Sequence, residues 1–111
     1  MAADKAIAKI SRLQSRGKVP PIAKYLANAD ESVRRAAIQA LGAIATPEAL
    51  TAMVPLLANA NPKTRIDAAK GIGTIRTSYA KTHIQQRVAI ETDAEVRAVM
   101  HAVLQGMPQD M

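Results

Sequence analysis

The sequence of 111 residues predicts an all-α protein, built as a solenoid of helical hairpins. Apolar residues recur at spacings of three and four in seven successive segments, and no segment shows a sustained strand-like alternation. Turn-forming clusters of Gly, Pro, Asn and Thr separate these segments. The same pattern also returns after 31 residues, which indicates an internal repeat.

Several of the predicted helices begin at a recognisable signal. Asp30, Asn61 and Asp93 can each accept hydrogen bonds from the free N–H groups of the turn that follows. Pro47 and Pro62 suit the first helical turn, where a missing N–H has no cost. We therefore predict seven helices of about 10 to 16 residues each.

The repeat unit is a helical hairpin. A shift of 31 residues places Ile10 over Leu41 and Ile72, and one extra residue near Ile90 brings Leu104 into the same register. This predicts a single domain of about three and a half repeats. Its parts are an N-terminal capping helix and three hairpins, at residues 1–17, 18–46, 47–77 and 78–107.

Alanine dominates the second helix of the first complete hairpin. One face of this helix is predicted to be apolar and a flank beside it to consist of small residues: Val33, Ala37, Leu41 and Ile44 on the face, Ala36, Ala40 and Ala43 on the flank. Each stacked hairpin must contact its neighbours as well as its own partner helix. Small side chains allow that close approach, so the alanines are predicted to form a stacking surface.

The stretch "PIAKYLANADESVRRAAIQALGAIATPEAL" carries a D-x-x-V-R turn that leads into an A-A-x-x-A-L-G helix. This pattern resembles the HEAT-like repeats, in the short form also found in phycobilin lyases. The resemblance implies a right-handed superhelix of helix pairs, with the second helices lining a concave face. Thr64 in place of Val33, and Met100 with His101 in place of Ala37 and Ile38, depart from the pattern.

An arginine follows each predicted cap by four residues. The three arginines could bind an anion, but the resemblance implies that such Asp–Arg pairs brace adjacent repeats. We therefore interpret the set as a structural ladder: Asp30 and Arg34, Asn61 and Arg65, Asp93 and Arg97.

The residues opposite the apolar face form the candidate partner-binding site. On the geometry that the resemblance implies, they line the concave face: Arg12, Arg35, Gln39, Lys63, Lys70 and Thr74. An ordinary solvated helix face explains the same residues equally well.

The net charge of +6 is concentrated near the N-terminus, where residues 1–28 contain six Lys or Arg and one Asp. Lys5, Lys9 and Arg12 fall where later repeats carry alanine. A terminal repeat needs a polar outer face, so capping explains these charges. An acidic partner or a phosphate backbone would also respond to their field.

The residue types that the sequence contains give little support for a catalytic function. The sequence has no cysteine, only two histidines, and none of the common nucleophile, phosphate-loop or metal motifs. His101, which replaces Ile38, is expected to be a partly buried helix residue. "KGIGTIR" is interpreted as a helix end where Gly71 and Gly73 allow tight packing. We expect no enzymatic activity, no cofactor and no metal.

The leading hypothesis for function is a non-catalytic scaffold that binds an acidic protein or peptide. Nucleic-acid binding through the basic N-terminal half is the alternative, and a chromophore-lyase-like accessory protein is a weaker one that depends on the resemblance. The lack of any long apolar run and of cysteine leads us to expect a cytoplasmic protein, without membrane association.

The C-terminal end suggests self-association. Val99 and Val103 stand where Ala36 and Ala40 are predicted to stack, so the last helix is expected to present an apolar edge. A second copy of the chain could cover it, which predicts a homo-oligomer formed through this end.

Overall fold

The computed structural model describes residues 2–109. Within this range the chain forms seven α-helices and no β-strand, as the spacing of apolar residues predicts. The helices are α1 (Ala2–Ser15), α2 (Val19–Ala23), α3 (Glu31–Ile44), α4 (Pro47–Met53), α5 (Pro62–Gly73), α6 (Ser78–Val88) and α7 (Ala94–Gly106).

The helices pack in two rows. The odd-numbered helices contact one another in sequence, α1 with α3, α3 with α5 and α5 with α7. The shorter even-numbered segments form the second row, and each packs against the odd-numbered helices beside it. The result is a stack measuring 38 × 27 × 18 Å, in which each hairpin contacts its neighbours in sequence.

The first helices of two hairpins are shorter than predicted. α2 and α4 each tighten into a 3₁₀ helix, over Lys24–Ala27 and Val54–Ala58. Pro55 lacks the N–H that would continue α4. Lys24 occupies the equivalent position in the preceding hairpin, and the chain tightens there too. The change of helix type therefore belongs to the hairpin geometry and not to the proline alone.

The predicted caps form. The Asp30 side chain accepts hydrogen bonds from the N–H groups of Ser32 and Val33, Asn61 accepts one from Lys63, and Asp93 accepts one from Val96. Each cap satisfies backbone donors that have no partner inside the helix. These local hydrogen bonds fix where α3, α5 and α7 begin.

The apolar face of α3 supplies the centre of the core. Val33, Ala37 and Leu41 are at most 1% exposed, and Ile44 is half-buried. On the flank, Ala40 is buried and Ala36 half-buried, whereas Ala43 is exposed. The stacking surface therefore excludes Ala43, and Ile38 at 2% exposure belongs to it instead.

The expected apolar edge at the C-terminal end is wrong in its orientation. Val103 packs directly against Gly73 of α5, so it faces the preceding repeat. His101, expected to be partly buried, is exposed instead. Its equivalent in the first complete hairpin, Ile38, contacts Gly71 of the next repeat, and α7 has no such neighbour within residues 2–109. The part of the self-association argument that depends on Val103 therefore no longer holds.

Candidate partner-binding groove

A groove of about 650 Å³ runs between α3 and α5. It lies where the second helices of two consecutive hairpins meet, and both helices contribute side chains to its walls. Its lining comprises Glu31, Arg35, Ile38, Gln39 and Ala43 from α3, with Lys63, Ile66, Asp67, Lys70, Gly71 and Thr74 from α5 and its C-cap.

Five of the six predicted site residues line this groove, namely Arg35, Gln39, Lys63, Lys70 and Thr74. Arg12 does not. It lies with Lys9, Leu13 and Arg16 around a separate shallow hollow of about 170 Å³. Arg12 has the same repeat position as Thr74, but within residues 2–109 no hairpin precedes α1 to supply the opposite wall.

The floor of the groove is apolar and tightly packed. Ile38 is buried and Ile66 half-buried. The two helices approach so closely that a Cβ atom on Gly42 would lie 2.8 Å from the carbonyl oxygen of Gly71. Because backbone atoms cannot move aside cheaply, glycine is required at Gly42 for this helix contact.

The cations of the groove differ in what they contact. Arg35 is held between two carboxylates, 2.8 Å from Glu31 on its own helix and 3.4 Å from Asp67 on α5. Its charge is therefore compensated inside the protein, although its side chain is 47% exposed. Lys63 and Lys70 are exposed and form no ion pair with residues 2–109. They are the cations of the groove that remain available to a partner.

The polar residues of the groove also differ in whether their hydrogen-bonding groups are already used within the protein. The Thr74 hydroxyl donates to the Gly71 carbonyl oxygen at 2.7 Å, so its proton is already engaged. Gln39 is exposed and can both donate and accept. The groove thus combines an apolar floor with two unpaired lysines, one amide, and the cluster in which Arg35 bridges the carboxylates of Glu31 and Asp67.

The ladder arginines contact backbone carbonyl groups instead of the capping side chains. Arg34 donates to the carbonyl oxygens of Asn28 and Ala29, at 2.7 and 3.0 Å. Arg65 repeats this arrangement at Asn59 and Ala60. Arg97 is exposed, and its side chain makes no hydrogen bond within residues 2–109. The arginines of two hairpins therefore fasten the turn before their own helix, while the acidic or amide caps serve the helix N–H groups.

One connection between repeats was not predicted. Arg65 Nε lies 2.8 Å from Glu91 Oε1, and Arg65 Nη2 lies 3.0 Å from Oε2, in a bidentate pair. Arg87 adds a contact at 3.3 Å, and the Asp93 N–H donates to Oε2 at 3.1 Å. The Glu91 side chain is 0% exposed, so this pair joins the second and third hairpins out of contact with water.

The surroundings of Glu91 favour its charged form. Burial by itself raises the pKa of Glu91, but the hydrogen bonds from Arg65, the Asp93 N–H and Arg87 outweigh it, and the pKa lies below its ordinary value. A sequence signal for the residue existed. Asn28 and Asn59 also stand two positions before a cap and accept from its N–H, so Glu91 replaces a neutral side chain in a recurring turn.

A second hollow, of about 530 Å³, lies between α4 and α6 and was also missed. Leu50, Val54 and Ile75 make it mostly apolar. Tyr79, which is 75% exposed, and the half-buried His83 stand on its α6 side. Their segment has few apolar residues, which is why the sequence pattern did not mark it.

The comparison with protein families matches the model described as HEAT repeats over residues 3–62 and again over 19–105. These two overlapping matches span nearly all of the chain, and they agree with the two-row packing of hairpins. The chain belongs to the HEAT repeat family. The comparison with curated proteins finds none that matches.

Membership of the HEAT repeat family indicates the general class of function. HEAT repeats are commonly protein-interaction scaffolds and are generally non-catalytic. In the part of the chain that the structure describes, no helix is both long and apolar enough to cross a bilayer. Over the same residues, no three His, Asp or Glu side chains come together as a metal site.

Proposed function

We propose that this HEAT repeat chain is a non-catalytic interaction module, and that it binds an acidic protein segment in the α3–α5 groove. The observation that carries the proposal is the pairing of an apolar floor with two exposed lysines that form no ion pair within residues 2–109. A groove of this kind suits an extended or helical segment of a partner.

The lysines define what the partner must present. Lys63 and Lys70 are seven residues apart on α5, which corresponds to about 10 Å along the helix axis. Two carboxylates about 10 Å apart could reach both, and an apolar side chain between them would contact Ile38 and Ile66. Glutamates seven positions apart on a helix lie on one face and meet this spacing. In an extended segment, where alternate side chains share a face, glutamates two or four positions apart come nearest to it, at about 7 or 13 Å.

Arg35 has a supporting role in this proposal. Because it bridges Glu31 and Asp67, it connects α3 to α5 and shapes the groove wall. Reversing its charge would place three acidic groups together and disturb the wall itself. A test of binding should therefore change Lys63 and Lys70 and leave Arg35 in place.

Reversing both lysines, Lys63→Glu with Lys70→Glu, should weaken the binding of peptides that are selected from a random displayed library on the parent protein. We expect affinity, measured by fluorescence anisotropy, to fall at least tenfold, or about 1.4 kcal/mol, since two attractive pairs become repulsive. Both side chains are exposed, so the melting temperature should stay close to the parent value.

The matched control is Lys24→Glu with Arg97→Glu, which changes the net charge equally at exposed positions outside the groove. The same peptides should bind this control as they bind the parent. A decisive extension exchanges glutamate for lysine in the peptide, which should restore binding to the groove variant. Equal losses in both variants, or selected peptides with no acidic preference, would contradict the proposal.

A further inference from the structure

Four cations run along one exposed side of α1 and the turn that follows it. Lys5, Lys9, Arg12 and Arg16 are spaced by four, three and four residues, which keeps them on one side of a helix. All four are exposed, and the last three surround the same shallow hollow. Together they form a straight basic stripe about 16 Å long.

The four cations of the stripe have no internal partner within residues 2–109, as is also true of Lys18, Lys24, Lys63, Lys70 and Arg97. Elsewhere the cations that donate to a carbonyl or carboxylate oxygen are Arg34, Arg35, Arg65, Arg76, Lys81 and Arg87. The four stripe side chains make no hydrogen bond or ion pair with residues 2–109. Their charge is therefore fully available to a ligand.

Exposure of an outer helix face does not explain a stripe of one sign. At the opposite end of the stack, α7 presents the exposed Ala98, Ala102 and Gln105 around His101, with Arg97 as its single Lys or Arg. An outer face thus needs polarity or small side chains, and not four like charges.

We propose that the basic stripe binds the phosphate backbone of duplex nucleic acid, independently of sequence. Backbone binding requires cations on a smooth surface, and the exposed Ala8, three residues from Lys5 and four from Arg12, allows close approach. A protein interface would need an aromatic or large apolar anchor, and single strands favour aromatic stacking platforms. The stripe has no aromatic residue, and its hollow contains only the half-buried Leu13 as a large apolar side chain, so duplex phosphates are the ligand that it fits best.

The test measures binding of a fluorescent random-sequence DNA duplex by anisotropy as the salt concentration rises. Four phosphate contacts predict a slope of log K against log salt of about −3.6, or roughly a hundredfold loss between about 50 and 200 mM. The triple variant Lys9→Gln, Arg12→Gln and Arg16→Gln should reduce the slope to about −1 and raise Kd at low salt at least about a hundredfold.

The matched control removes three exposed cations elsewhere, through Lys63→Gln, Lys70→Gln and Arg97→Gln. This control should keep the parent slope, and circular dichroism should show parent-like helicity for both triple variants. Equal loss in both would mean that net charge alone is responsible and would overturn the proposal. So would tighter binding to a single strand, to polyglutamate or to phosphatidylserine vesicles than to the duplex.

Discussion

Replacing Leu41 by alanine should lower the free energy of unfolding by about 2–5 kcal/mol. Leu41 is 0% exposed and lies at the centre of α3, where its equivalents Ile10 and Ile72 are also buried. Truncation removes buried apolar surface and leaves a cavity that stacked helices on either side cannot readily close. For a domain of this size, such a loss is a large part of the total stability.

Urea unfolding followed by circular dichroism measures this effect, and Gln39→Ala on the exposed side of the same helix is the control. The control should change stability by no more than about 0.5 kcal/mol. If Leu41→Ala melted within about a degree of the parent, the repeat register that places Leu41 at the centre of the stack would be wrong, because the expected loss corresponds to many degrees.

Replacing Glu91 by glutamine should destabilise the chain by about 3 kcal/mol at neutral pH. The substitution keeps the shape of the side chain but removes the charge that compensates Arg65, whose side chain is only 12% exposed. An arginine left without its carboxylate in a water-poor position has a high free-energy cost. The effect should appear as a lower urea midpoint with an unchanged slope.

The same pair predicts how stability depends on pH. The pKa of Glu91 is lower in the folded chain than its ordinary value of 4.5. The contribution of Glu91 to the free energy of unfolding is therefore fully present above about pH 4.5, and it is lost as the pH falls through the pKa of the folded state. The difference between parent and Glu91→Gln should shrink on acidification through this range.

The pKa of Asp30 is also lowered, chiefly by the hydrogen bond from the Ser32 side chain, so its contribution to stability should likewise be lost as the pH falls.

The exposed Glu48 provides the control for Glu91→Gln, because Glu48→Gln removes a carboxylate without breaking an ion pair between repeats. A gap between parent and Glu91→Gln that stayed constant down to about pH 2 would show that charge is not the source of the effect.

The local features of the fold followed from the sequence because they depend on residues a few positions apart. Helix periodicity repeats within each turn, and the caps at Asp30, Asn61 and Asp93 bond to N–H groups two or three residues ahead. The central apolar position of each second helix followed from the repeat shift. None of these features requires knowledge of how the hairpins stack.

The candidate groove was predictable as a face but not as an electrostatic site. A helical wheel placed Arg35, Lys63 and Lys70 on the side of their helices opposite the apolar face. It could not show that Arg35 pairs with Asp67 on α5, which is 32 residues away in the sequence. The separation of a compensated arginine from two available lysines depends on that contact. Only the stacking of α3 on α5 decides it.

Stacking also decided which neighbour each side chain meets. The helical wheel gave the direction of Val103 and His101 around the axis of α7, but not what lies beside them. The structure shows that the preceding repeat packs against Val103, and that no repeat within the described residues covers His101. The bond between Arg65 and Glu91, 26 residues apart, likewise exists only because consecutive hairpins meet there. The sequence by itself therefore determined the helices, their caps and the repeat, since short-range hydrogen bonds and periodicity control them. The tertiary structure alone decided the groove charges, the buried ion pair and the outer faces, because these depend on distances between separate hairpins.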